Sequence, residues 1–228
     1  MTLALIYDVH GNLPALHAVL GDAGRQGADR HLLGGDYALF GPWPLETLEV
    51  LDGLAGAIWL RGNGERWGAH PDQARPDDTV QGAIAAVRVA LGEATVARLA
   101  ALPEQAVIGG TRVCHASPIS DVRSFGPEPG EEDEELTGGT LERRLLFGHT
   151  HLPFRRAGPR GIELCNPGSV GMPFDGDPRA AYALVHPDGS IEHRRVEYDH
   201  SATAAAVRAR WPGGWSEVVA TRIERASL

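Results

Sequence analysis

Five short clusters of carboxylate, amide and imidazole side chains stand in a fixed relation to five apolar runs, and this relation constrains the fold more than any other feature of the chain. Asp8-Val9-His10-Gly11-Asn12 follows the run Thr2–Tyr7, Gly34-Gly35-Asp36 follows His31–Leu33, and Gly62-Asn63 follows Ala57–Leu60. His115-Ala116-Ser117 ends the run starting at Arg112, and Gly148-His149-Thr150-His151 follows Arg144–Phe147. Short apolar runs bounded by Gly, Asp and Asn read as buried strands. Open α/β sheets place their binding residues just past the carboxyl ends of such strands. A lone Asp-x-His or His-x-His is ordinary loop chemistry; five clusters in order at successive strand ends require a fold that gathers those ends.

The first half alternates strand and helix. Apolar spacing of three and four predicts helices over Leu13 to Ala23, Leu45 to Leu54 and Thr79 to Leu102, with Pro103 as the stop. Such alternation implies an α/β core with parallel pairing. From Ala106 onward, short β-rich runs at Ala106–Ile108, Arg112–His115, Arg144–Phe147, Ile162–Cys165, Ala180–His186 and Ile191–Val196 imply a second sheet. No internal repeat or linker divides residues 1–228, so one domain is expected, with 126–139 an acidic insertion loop and 201–228 a helical tail. The insertion, dominated by Glu131, Glu132, Asp133, Glu134 and Glu135, reads as a solvated loop or helix start, with a lid as the alternative.

Charge narrows the function. With 30 acidic against 21 basic residues and a formal charge of −9, tight wrapping of a polynucleotide is disfavoured. A small phosphorylated substrate, such as a nucleotide, stays compatible, because bound cations reverse the local charge. No apolar stretch is long enough to span a bilayer and no secretory signal opens the chain, so a soluble cytoplasmic protein is expected, with homo-oligomerisation left open. Cys114 and Cys165 lie in apolar runs and read as free, buried thiols. Carboxylate and amide oxygens combined with imidazole nitrogens suit borderline divalent metals such as Mn, Fe, Zn or Ni, and the lack of thiolates disfavours a structural zinc site.

In order and spacing the clusters resemble the calcineurin-like metallophosphoesterases, whose blocks run D-x-H, G-D, G-N-H-D/E, H and G-H-x-H. The stretches from Val9 to Leu16 and from Asn166 to Gly171 are similar to its small bacterial and archaeal phosphodiesterase-like branch. The resemblance spans about residues 3 to 198. It implies two central mixed β-sheets packed face to face and flanked by helices, a four-layer αββα sandwich. It also implies two divalent transition metal ions, manganese favoured. Asp8, His10 and His151 would bind one, Asn63, His115 and His149 the other, and Asp36 would bridge them. A hydroxide between the metals would attack a phosphodiester or a nucleotide phosphoanhydride. Catalytic roles would fall to His10, as an orienting group, to Asn63, and to Arg61, which matches a phosphate-gripping arginine of related phosphatases; a surface ion pair is its alternative role.

One position departs from the pattern. The block that usually reads G-N-H has Gly64 in place of the histidine that orients substrate or protonates the leaving oxygen. Activated leaving groups should then be favoured over alkyl ones, unless Glu65, Arg66 or His70 compensates. Gly64 also leaves open a non-catalytic metal-binding or protein-interaction module on the same fold. Tyr37, Phe40, Trp43 and Trp67 would serve as a stacking platform or as plain packing. Asn166-Pro167-Gly168-Ser169 would position a phosphate or make a structural turn. Ser117 lacks the partners of a nucleophilic serine.

Overall fold

The computed structural model describes residues 1–228. Strand β1 (Thr2–Ile6), helix α1 (Leu13–Arg25), β2 (Ala28–Leu33), α2 (Pro44–Asp52) and β3 (Ile58–Trp59) form two successive strand–helix–strand units, and β1, β2 and β3 pair in parallel. Helices α3 (Asn63–Ala69) and α4 (Asp78–Ala100) lead into β4 (Gln105–Ile108) and β5 (Thr111–Cys114). After the short helix α5 (Asp133–Leu136) come β6 (Arg144–Leu146), β7 (Phe154–Ala157), β8 (Glu163–Asn166), β9 (Ala180–Val185) and β10 (Ile191–Val196). Helices α6 (His200–Arg210) and α7 (Gly214–Arg225) end the chain.

The strands build two five-stranded mixed sheets, ordered β10-β9-β1-β2-β3 and β4-β5-β6-β8-β7. Alternation along β1 sets the layers. Leu5 turns inward to Leu32, Leu60, Val113, Leu146 and Cys165, which fill the space between the sheets. Ala4 and Ile6 turn outward onto Leu16 and Val19 of α1, within a cluster that extends to α2, α4, α6 and α7. On the far face of the second sheet, Cys114, Leu145, Phe147 and Leu164 pack under Phe125 and Leu136. The expected sandwich of two sheets between outer layers is therefore present, with its helices concentrated on the first sheet. Each fully buried Leu, Ile or Phe stabilises it by about 1.5–3 kcal/mol.

Side-chain caps set the starts of two of the helices that flank the first sheet. The Asn12 side chain accepts from Ala15 N–H (3.3 Å) at the start of α1, and Asp77 accepts from Val80 N–H (2.9 Å) at the start of α4. The helix expected unbroken over Thr79 to Leu102 is interrupted at Gly92 (φ 72°, ψ 161°), a conformation that residues with a Cβ avoid. Two elements escaped the sequence pattern. Helix α3 starts inside what reads as a turn, and β7 is a charged edge strand, Phe-Arg-Arg-Ala, with no apolar run to mark it.

The acidic stretch is tied down by cations. Asp133 is buried against Arg156 (2.8 Å), Arg123 reaches Glu132 (3.1 Å) and Glu135 (2.8 Å), and Arg160 reaches Glu134 (3.3 Å). With α5 in its middle and Leu136 in the core, this segment is a cover of the second sheet rather than a lid.

Candidate metal centre

The packing of the two sheets brings the loops after β1, β2, β5 and β6 together with the first turn of α3. Asp8, His10, Asp36, Asn63, His115 and His151 are all buried there, and His149 is half-buried beside them. Donor atoms bound about 2.0–2.2 Å from one cation lie roughly 3–3.5 Å from each other. On one side His10 Nε2 is 3.1 Å from His151 Nε2, and His151 Nε2 is 3.5 Å from Asp8 Oδ1. On the other side the Asn63 amide oxygen faces His115 Nε2 at 3.0 Å and His149 Nδ1 at 2.8 Å. Asp36 lies between, with Oδ1 3.6 Å from His115 Nε2 and Oδ2 3.9 Å from His10 Nε2.

The imidazoles are held in one tautomer. Nδ1 of His10 faces Leu39 O (3.1 Å), Nδ1 of His115 faces Gly34 O (2.8 Å) and Nδ1 of His151 faces Met172 O (2.5 Å). Each Nδ1–H donates outward to a carbonyl, so each Nε2 lone pair points into the ring. Lone pairs of His10 and His151 thus face each other, and the Asn63 oxygen faces two more ring nitrogens. Turning the Asn63 amide over would let its nitrogen donate to both imidazoles and to Asp121 O (3.1 Å) and its oxygen accept from Gly64 N–H (3.2 Å); a cation between the rings would satisfy the imidazoles and the amide oxygen without a turn. Asp8 Oδ1 is buried without any hydrogen-bond partner. An orphaned buried carboxylate oxygen amid inward-facing nitrogens fits a divalent metal.

The backbone carries the same signature. Eight non-glycine residues have positive φ, and five of them are Asp8 (53°), His10 (51°), Asp36 (57°), His149 (69°) and His151 (59°). Left-handed backbone costs an ordinary residue about 1–2 kcal/mol. Such strain concentrates where surrounding structure imposes it for a function.

Electrostatics follow from crowding. Burial, reinforced by His151, holds the His10 imidazole down to about 3, and burial with His115 holds His149 down to about 3. Both are therefore neutral and ready to ligate. Burial pushes the Asp36 carboxyl up to about 7, with His115 opposing and Glu65 and Asp8 adding to the rise. Burial would also raise Asp8, but His151, His115 and His10 keep it well below the usual carboxylate range. A cation removes the conflict among these groups.

Two supports underlie the ring: the structural turn at Asn166 to Ser169 is one that the sequence offered, and the anchoring role of Glu65 is one that it did not. Glu65, fully enclosed, accepts the backbone N–H groups of Asp36, Tyr37 and Gly62, each at 2.8 Å, and so fixes both the Asp36 loop and the start of α3. The Asn166–Gly171 segment is a structural turn beneath the ring. Asn166 donates to Gly148 O (2.9 Å) and Thr150 Oγ1 (3.0 Å), Ser169 donates to Asp8 O (2.7 Å), and Asn12 donates to Gly171 O (2.8 Å). A Cβ on Gly171 would lie 1.9 Å from Val9 O, so only glycine admits this approach.

The ring opens into a cavity of about 490 Å³, whose wall includes His10, Asp36, Asn63, His149 and His151. Phe40 and Trp67 line it, as a platform would, whereas Tyr37 is core, its hydroxyl bonded to Leu33 O (2.8 Å) and Leu60 O (2.5 Å). Phe174, not singled out from the sequence, stacks on His151 at 4.3 Å. Arg61 is not brought to the cavity. Its guanidinium is engaged by Ala100 O (3.2 Å) and by Glu104, so the ion-pair role describes it and the phosphate clamp does not. The cationic side chains that do line the cavity are Arg75 and Arg222, which no motif marked.

Paired mixed sheets with a carboxylate–imidazole ring at their strand ends define a class of metal-dependent proteins. Residues 1–190 match the calcineurin-like phosphoesterase superfamily domain, and the chain belongs to that superfamily. The protein MJ0912 of Methanocaldococcus jannaschii is 30% identical over 218 residues, covering 86% of this chain and 88% of that one. A metallophosphoesterase from Sphaerobacter thermophilus superposes with a TM-score of 0.83 at 30% identity, covering 99% of this chain and all of that one (100%). The protein PH1004 from Pyrococcus horikoshii OT3 superposes with a TM-score of 0.81 at 20% identity over 99% of this chain and 98% of that one, a likeness of fold. No helix is long and apolar enough to cross a membrane.

Proposed function

We propose that this chain hydrolyses a small phosphodiester or a nucleotide phosphoanhydride with two divalent cations in the ring. Asp8, His10 and His151 would hold one, Asn63, His115 and His149 the other, and Asp36 would present an oxygen to each. The observation that carries this reading is the convergence of these seven side chains with the Asp8 oxygen unpaired and five of their backbones in the left-handed region. Bound there, divalent cations supply an activated water at neutral pH and neutralise charge developing on phosphorus. Manganese is the favoured ion, with iron, zinc and nickel suited to the same donors.

The remaining work falls to the chain itself. Carbonyls of Leu39, Gly34 and Met172 fix the imidazoles, and Glu65 fixes the Asp36 loop, so the donors are set before substrate arrives. Phe40, Trp67 and Phe174 give the cavity apolar walls that displace water from a bound ester. None of Glu65, Arg66 and His70 takes the place of the histidine absent at Gly64. Glu65 is committed to three backbone donors, Arg66 makes a two-pronged pair with Asp121 (2.6 and 2.7 Å), and His70 does not line the cavity. General acid catalysis is worth about 10²–10⁴-fold, so leaving groups that need protonation suffer most.

Turnover of bis(p-nitrophenyl) phosphate that depends on added Mn(II) and drops more than about 100-fold in Asp36→Asn is the expected result. Replacing the aryl leaving group with an alkyl one should lower the rate by more than its intrinsic reactivity accounts for. No turnover with two metals demonstrably bound would instead favour an interaction module.

A further inference from the structure

Arg75 and Arg222 share the cavity with the metal-ligand ring, and neither guanidinium has a hydrogen-bond or ion-pair partner within the chain. Many of the other arginines are paired with carboxylates, Arg66 with Asp121, Arg112 with Glu142, Arg144 with Glu163, Arg194 with Asp22 and Arg208 with Glu217. The one acidic side chain on this wall outside the ring is Asp77, which uses Oδ1 to cap α4. Arg222 is half-buried with its Nε enclosed and unpaired. Burial draws its guanidinium below the ordinary arginine value, with Asp77 opposing. A guanidinium half withdrawn from water, with one N–H enclosed and unpaired, gains when an anion meets it. Its position is set, because Val219, Ala220 and Ile223 anchor α7 in the core beside α4. Arg222 comes from the tail, outside residues 1–190 of the superfamily match, whereas Arg75 lies within them.

We propose that Arg75 and Arg222 form a second anion subsite, so that the substrate is a nucleotide-sized phosphoester carrying a further phosphate away from the reacting one. A guanidinium fork matches phosphate oxygens two at a time, and the intervening body of such a substrate has Trp67 and Phe174 to lie against. A cavity of about 490 Å³ is of the size that encloses ligands of this kind. The identity of the reacting group rests on the hydrolytic reading above; the anion subsite does not.

The test is binding to the full chain by calorimetry, comparing thymidine 3′,5′-bisphosphate with thymidine 5′-monophosphate, with and without Mn(II). The wild type should prefer the bisphosphate by at least about tenfold, and Arg222→Ala and Arg75→Ala should each erase most of that preference. Arg222→Lys, which keeps the charge without the fork, should retain part of it, and circular dichroism reports whether each variant is folded. If a variant does not fold, the wild-type preference still decides, since it should weaken as salt is raised. Equal affinity of the wild type for both nucleotides, or a preference unchanged in both alanine variants, overturns the subsite. Failure of the hydrolytic reading would show separately, as no turnover of thymidine 5′-(p-nitrophenyl phosphate) while the bisphosphate preference persists.

Discussion

At the scale of single residues, the site is built from side chains that would each be unfavourable alone. His149 illustrates it: its ring faces the Asn63 amide and its backbone sits at φ 69°. At an ordinary position alanine is more stable than glycine, but in left-handed backbone the order reverses. His149→Gly should therefore be more stable than His149→Ala by about 1 kcal/mol in urea unfolding with chelator present, while both lose the imidazole equally. The reverse order would mean that the backbone is not held in that region. Glu65 is the second case. A glutamine there has one acceptor oxygen and an amide that confronts backbone N–H groups, so Glu65→Gln should lower stability by about 2–3 kcal/mol and weaken metal uptake together. Loss of stability with unaltered metal affinity would separate the two roles argued for it.

Among elements, a polar junction fastens α1 to β9 and β10. Asp22 accepts from Tyr182 Oη (2.7 Å) and Arg194 Nε (2.7 Å), and Arg194 chiefly holds its carboxyl below the usual 3.8. A carboxylate with a lowered folded-state value contributes stability in full above its ordinary value and loses it as pH falls through the lowered one. Unfolding free energy should accordingly fall more steeply with acid in the wild type than in Asp22→Asn, below about pH 4. Parallel acid limbs would show that the junction contributes nothing. The elements were legible where burial alternates or spacing is helical, as in β1, α1 and α4. They were not legible where tertiary contacts decide: β7 is charged because it is an edge, and α3 forms where Glu65 ties its first turn to the Asp36 loop.

For the whole molecule, the ring was legible because its donors must sit at strand ends, and strand ends can be read from apolar runs. The rest of the cavity was not. Arg222 comes from the tail and Phe174 from a loop, and only the packing of α7 on α4, and of the loop after β8 beneath the ring, brings them there. Arg61 has the right neighbour in sequence, yet the Ala100 carbonyl and Glu104 draw its guanidinium away. Both errors share a cause: pattern locates a residue along the chain but not the direction of a long side chain. If the seven-residue ring serves as proposed, it takes up two divalent cations. Titration of chelator-stripped protein with Mn(II), followed by calorimetry and by thermal unfolding, should give two equivalents per chain and a melting temperature that rises with metal; Asp8→Asn should lose both effects. Uptake of no cation, or the same uptake in wild type and Asp8→Asn, would contradict the account.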